Sequence, residues 1–229
     1  MTGGDTISLM RDVTAELDGR RQRRPHRENI MSREDGIIGI SDHGGWAVLV
    51  TVAGYGTLLD RRRVELVDAD LPKIPHHSEG QRLPLHEAVE LVERVRVSAE
   101  RHAKLVLDAV APTVPRRILG VALRQCPKLP PTIAERIRDY RAQNVADWVM
   151  YRKALAGAAE ARGWAVHWYD AKSVFDAAGE ALRIEDLDAH FLHLRKSIGQ
   201  PWGNDHRIAM AAAIVASKAL EIGSTLQTV

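Results

Sequence analysis

A chain of 229 residues fits one compact domain with at most a tail, and two full domains would be cramped. Hydrophobic residues make up 45% and charged residues 27%, which excludes a wholly disordered, collagen-like or low-complexity chain. Lysine and arginine (32) against aspartate and glutamate (30) leave a net charge of only +2, so any basic surface is local, and the single cysteine, Cys126, excludes an intrachain disulfide or a cysteine-based zinc site.

Residues 1–35 are polar and carry Arg20, Arg21, Arg23, Arg24 and Arg27, with no face from which a core could be built. They are expected to form a disordered or weakly helical basic leader, the alternative being an arm that tethers nucleic acid. Met31 offers an alternative start. The remainder, residues 36–229, is expected to be one domain. It holds no apolar run of bilayer-spanning length and no secretory leader precedes it, so a cytoplasmic protein without a membrane partner is expected.

From Gly36 the pattern becomes that of a sheet. Ile37–Asp42, Trp46–Val52 and Thr57–Asp68 alternate or run apolar, and the turns between them are His43-Gly44-Gly45 and Gly54-Tyr55-Gly56, which predicts an antiparallel three-strand meander. Pro72 and Pro75 then break the chain. Apolar residues spaced three and four apart from Ala88 to Leu107 mark one stripe of a long helix over residues 85–109. Arg117–Leu123 is a short apolar run that reads as a buried strand. Helices are predicted over 132–140, where Thr132 and Glu135 have capping-box spacing, and over 145–162, ended by Gly163. Trp164–Tyr169 reads as a fifth strand, followed by helices over 172–182, 186–198 and 205–220. The wide apolar stripes of the first and last helices fit burial against the sheet or against a second copy of the chain.

A meander followed by alternating helix and strand gives an α/β fold with a mixed five-stranded sheet. This order, with an acid at the end of the first strand and another at the start of the last helix, resembles the ribonuclease H-like superfamily. In that family one Asp lies on the first strand, a second acid near the end of the fourth, and one or two at the start of the last helix. There they hold two divalent cations for in-line phosphoryl displacement. Asp42 and Asp205 match the first and last of these positions, whereas the fourth strand ends Arg124-Gln125-Cys126-Pro127 without an acid. Asp170, at the end of the fifth strand, is the candidate third carboxylate.

The resemblance thus implies a magnesium- or manganese-dependent nuclease with Asp42 and Asp205, and Asp170 from the neighbouring strand, as catalytic carboxylates and metal ligands; His43 and His206, which directly follow Asp42 and Asp205, are further candidate ligands. The alternative is a non-catalytic nucleic-acid- or protein-binding module of the same fold. Taken singly, Asp205 also suits a helix N-cap and Asp42 a turn. Arg138, Arg141, Arg152 and Trp202 are the candidate nucleic-acid-binding residues; the arginines suit surface ion pairs equally well. His76 and His77 read as a solvated loop, and Cys126 as an inert thiol. The glycines of the meander precede no helix, which argues against a phosphate-cradling nucleotide site.

Overall fold

The computed structural model describes residues 35–226, so the predicted leader lies outside the described residues except for Asp35. Arg117 binds Asp35 through Nε and Nη2, each at 3.2 Å, and so ties the start of the domain to the start of the fourth strand.

Strands β1 (Gly36–Asp42), β2 (Trp46–Ala53) and β3 (Thr57–Glu65) form the predicted antiparallel meander. β4 (Ile118–Arg124) lies parallel to β1, and β5 (Ala165–Tyr169) parallel to β4, giving the sheet order β3-β2-β1-β4-β5. Parallel neighbours need long crossovers, and helices supply them. Helix α1 (Leu85–Val110) links β3 to β4, and α2 (Ile133–Arg138) with α3 (Tyr140–Glu160) links β4 to β5. After β5 the chain continues through α4 (Val174–Leu182), α5 (Leu187–Ile198) and α6 (Asn204–Leu226).

The helices divide between the two faces of the sheet. Ile38 and Ile40 of β1 share a core with Val92 and Leu107 of α1 and Tyr151 and Leu155 of α3, while Ile37 packs with Phe191, Ala209 and Met210 from α5 and α6. The apolar stripes of α1 and α6 are therefore spent inside the chain. No helix among the described residues is long and apolar enough to cross a membrane.

Most boundaries follow local chemistry. Thr132 and Glu135 form a reciprocal capping box on α2, and Gly163, at φ 70°, ends α3 in the left-handed conformation. Helix α3 starts at Tyr140, earlier than predicted, because the Asp139 carboxylate accepts the N–H groups of Arg141 (2.8 Å) and Ala142 (3.0 Å). β3 ends at Glu65, short of the predicted Asp68, because Asp68 turns away to α1. There it accepts hydrogen bonds from Ser98 (2.8 Å), His102 (3.0 Å) and Arg101.

His102, then Ser98 and Arg101, hold the Asp68 carboxyl at about 2, against an ordinary value of 3.8. A depressed folded-state value means that the contribution to stability is complete above about pH 4 and is lost as pH falls towards 2. Asp68→Asn is therefore expected to melt lower than the parent at pH 7, and the gap between the two is expected to close between about pH 4 and pH 2 in parallel thermal scans. A gap that stays constant across that range would remove the carboxylate from the argument.

Candidate functional site

Strand alternation decides which side chains meet at the C-terminal edge of the sheet. Along β1, Ile38, Ile40 and Asp42 face the layer of α1 and α3, whereas Ile37, Gly39 and Ser41 face α6. Gly39 is required here, because a Cβ on it would lie 1.7 Å from the backbone oxygen of Ala209 and 2.9 Å from the nitrogen of Ala213. This close approach seats the first turn of α6 over the end of β1.

The residue facing Asp205 is therefore Ser41, not Asp42. Ser41 Oγ donates to Asp205 Oδ1 at 2.9 Å, and His43 Nε2 lies 2.8 Å from the same oxygen. The His43 ring stacks on Trp46 with centroids 4.0 Å apart, and the Arg63 guanidinium lies 4.5 Å above the Trp46 ring. Asp205 is thus a strut between α6 and the β1–β2 turn, not the N-cap that its position taken singly would suit: helix α6 begins at Asn204, and the Gly203 carbonyl accepts its first bond, from Arg207 N–H.

Asp42 points into the opposite layer, its side chain 1% exposed. Arg152 of α3 donates Nε–H to both carboxylate oxygens at 2.8 Å and Nη1 to the Gln125 carbonyl at 3.3 Å. Burial pushes the Asp42 carboxyl up, and the Arg152 hydrogen bond and charge pull it back. Arg152 is 6% exposed, with its Nε committed to Asp42, and it forms part of the wall of the cleft at this edge.

The remaining candidates are dispersed. Asp170 is exposed and accepts the N–H of Lys172 at 3.0 Å, a turn role. His206 is buried; its Nδ1 accepts the Gly203 N–H at 3.2 Å, and burial lowers its pKa. Trp202, expected as a nucleic-acid contact, is 5% exposed and packs edge-on against Phe191. Arg138 and Arg141 are exposed, as a phosphate contact requires. Among the described residues no three His, Cys, Asp or Glu side chains converge on a point where they could hold a metal ion. The donor set that magnesium or manganese would need is not assembled here, because Asp42 faces the wrong layer and is neutralised by Arg152.

What the edge does hold is a cleft of about 520 Å³ beyond the C-terminal ends of β4 and β5, lined by Arg124, Gln125, Cys126, Asn144, Trp148 and Asp170. Ligands bind outside the carboxyl ends of parallel strands in open α/β sheets, and this cleft occupies that place. Arg124 follows Ala122, which packs against the α6 layer, and pairs across the sheet with Tyr169. The Tyr169 hydroxyl donates to the Ile40 carbonyl at 3.2 Å, and burial pushes its pKa up. Burial likewise raises the Cys126 thiol, so it is not an activated nucleophile.

The combination of an antiparallel meander, β4 and β5 added parallel to β1, and a last helix packed on β1 decides the architecture. The fold is ribonuclease H-like. No protein-family model matches the chain, and no curated protein sequence does. Among solved structures it is similar to Thermus thermophilus RuvC in complex with a Holliday junction substrate, with 16% identity and a TM-score of 0.48 over 82% of this chain and 96% of that one. A second Thermus thermophilus RuvC structure aligns at 16% identity and a TM-score of 0.43 over 82% and 97%.

Proposed function

We propose that this ribonuclease H-like chain is a non-catalytic module that binds nucleic acid at the C-terminal edge of its sheet. One observation carries the first half of this reading: Ser41 stands where a first-strand carboxylate would have to face Asp205. On the α6 side of the edge, the ends of β1 and β4 and the first turn of α6 present Ser41, Arg124 and Asp205, one acid in place of three. Two-metal phosphoryl transfer needs several carboxylates to hold cations at both the attacking and the leaving oxygen. A serine and an arginine supply neither.

The second half rests on the cleft and its rim. Exposed Arg124, Lys128, Arg138, Arg141 and Lys172 lie on the segments bordering it, between β4, α2, the start of α3 and the end of β5. Such cations neutralise phosphates without reading sequence. Trp148 and the amides of Asn144 and Gln125 line the interior, where an indole stacks on a base and amides meet base edges.

The test is fluorescence anisotropy with labelled oligonucleotides. Binding is expected to weaken steeply from about 50 to about 200 mM salt, and Arg124→Glu to reduce affinity by about tenfold. Incubation with Mg²⁺ or Mn²⁺ is expected to leave the oligonucleotide intact. Metal-dependent cleavage that Asp205→Asn abolishes would replace this reading with the nuclease one, and absence of binding at the lowest salt would remove nucleic acid as the ligand.

A further inference from the structure

Three residues of helix α3, each four positions from the next, line the cleft at the sheet edge: Asn144, Trp148 and Arg152. Side chains spaced by four share one stripe of a helix, so this stripe turns an amide, an indole and a guanidinium towards the same hollow. A neighbouring stripe fixes the helix in place. Asp147, fully buried, accepts the backbone N–H groups of His76 (3.1 Å) and His77 (3.2 Å), and the Tyr151 hydroxyl donates to the Lys73 carbonyl at 2.8 Å. The 73–77 loop, expected as a solvated histidine loop, is therefore a brace for α3, with His76 buried and His77 exposed.

Charge divides between the inside of the cleft and its rim. Inside, the Arg152 charge is balanced by Asp42; its Nε is committed to that carboxylate and its Nη1 to the Gln125 carbonyl, while Nη2 has no hydrogen-bond partner among the described residues. The Asp170 carboxylate in the wall offsets Arg124. The exposed cations Lys128, Arg138, Arg141 and Lys172 lie on the segments around the opening. An interior without surplus positive charge suits an uncharged heteroaromatic ring, and a rim of cations suits phosphates. A base inside a double helix cannot be met in this way, because its faces are covered by neighbouring pairs and its edges lie in a groove that a projecting helix or ribbon must enter. Here the base-contacting groups lie in a recess of about 520 Å³, the size of a site for one small ligand, so the base must come to the protein.

We propose, resting on the nucleic-acid reading above, that the cleft receives one unpaired base and that the ligand is a single strand, not a paired duplex. The base stacks on Trp148, its ring acceptors take the free Nη2–H of Arg152, and the flanking phosphates meet the rim cations. Single-stranded DNA and RNA share this chemistry.

Anisotropy titrations of the full chain at one low salt concentration, with a short mixed-sequence DNA strand, the same sequence as RNA and the fully paired DNA duplex, test this. Phosphate charge alone favours the duplex, whose axial charge density is higher, so a base pocket is expected to reverse the order, with a single strand at least about tenfold tighter. Trp148→Ala, checked for folding by circular dichroism, is expected to weaken single-strand binding about tenfold, the size of effect that one stacked base gives, and to leave duplex binding unchanged. Cys126 is the only cysteine and lines the cleft, so in the parental protein a bound single strand is expected to slow its alkylation by N-ethylmaleimide. Tighter binding of the RNA or of the DNA strand assigns the sugar; either supports the proposal. Duplex binding as tight as that of the single strands, a folded Trp148→Ala protein that binds them undiminished, or an alkylation rate that they leave unchanged would overturn the unpaired base and leave nucleic-acid binding at the edge standing. Absence of binding by all three probes would remove both.

Discussion

Asp42→Asn is expected to cost about 3 kcal/mol of folding stability, because it leaves the Arg152 guanidinium buried beside a neutral amide. The amide oxygen can still accept the Nε–H, which keeps the loss at the lower end of the range of about 3–5 kcal/mol for breaking a buried ion pair. Arg152→Met is expected to cost at least as much, since it removes the guanidinium that opposes the burial of the Asp42 carboxyl. The double variant Asp42→Leu with Arg152→Met is expected to recover most of the loss, because replacing both charges with apolar groups removes the desolvation penalty along with the attraction. Urea titrations of the four proteins, compared at equal slope, read out the three differences. The experiment also separates the two functional readings. A metal-holding carboxylate predicts a folded, inactive Asp42→Asn protein of nearly parental stability, and that result would overturn the structural role assigned here.

Why the sequence pointed to Asp42 and not to Ser41 has a physical answer. β1 is buried on both faces, so its composition does not say which face meets the last helix, and a slip of one residue exchanges the two layers. The signal that was present was Gly39, which shares a face with Ser41 and is the one interior residue of the strand without a side chain. Its missing side chain is what admits the α6 backbone, but a lone glycine in a strand does not say which element approaches it. Arg152 and Asp147 were hidden for a related reason. Helix α3 is packed on nearly every side, between the sheet, α1 and the 73–77 loop, so charged residues that resembled a solvated face are core ion-pair and hydrogen-bond partners. The elements themselves were legible where periodicity or capping chemistry was strong: the meander, the α1 stripe, the Thr132–Glu135 box and the stop at Gly163 all stand where the residue pattern places them. Trp202 was the reverse case, a turn residue beside a candidate acid whose indole fills the α5–α6 core instead of reaching outward.

Gly39→Ala is expected to be the most damaging single-methyl change in the domain, lowering stability by about 4 kcal/mol or more, at the extreme end of point substitutions. The added Cβ meets the Ala209 carbonyl oxygen at 1.7 Å and the Ala213 nitrogen at 2.9 Å. Both are backbone atoms inside α6, so no rotamer change relieves the overlap and the whole helix must move off β1. That displacement would also lift Asp205 from Ser41 and His43, since those bonds cross the same interface. Gly36→Ala, three residues earlier in the same strand, is the control. Its Cβ would meet the Cδ1 end of the Ile118 side chain at 2.9 Å, which can rotate aside, and the loss of unfolded-state freedom offsets part of the cost, so the net change is expected to stay within about 1 kcal/mol. Thermal or urea unfolding of the two variants decides the matter. If Gly39→Ala proves as mild as Gly36→Ala, then α6 does not rest on β1 at van der Waals distance, and the placement of Asp205 over Ser41 falls with it.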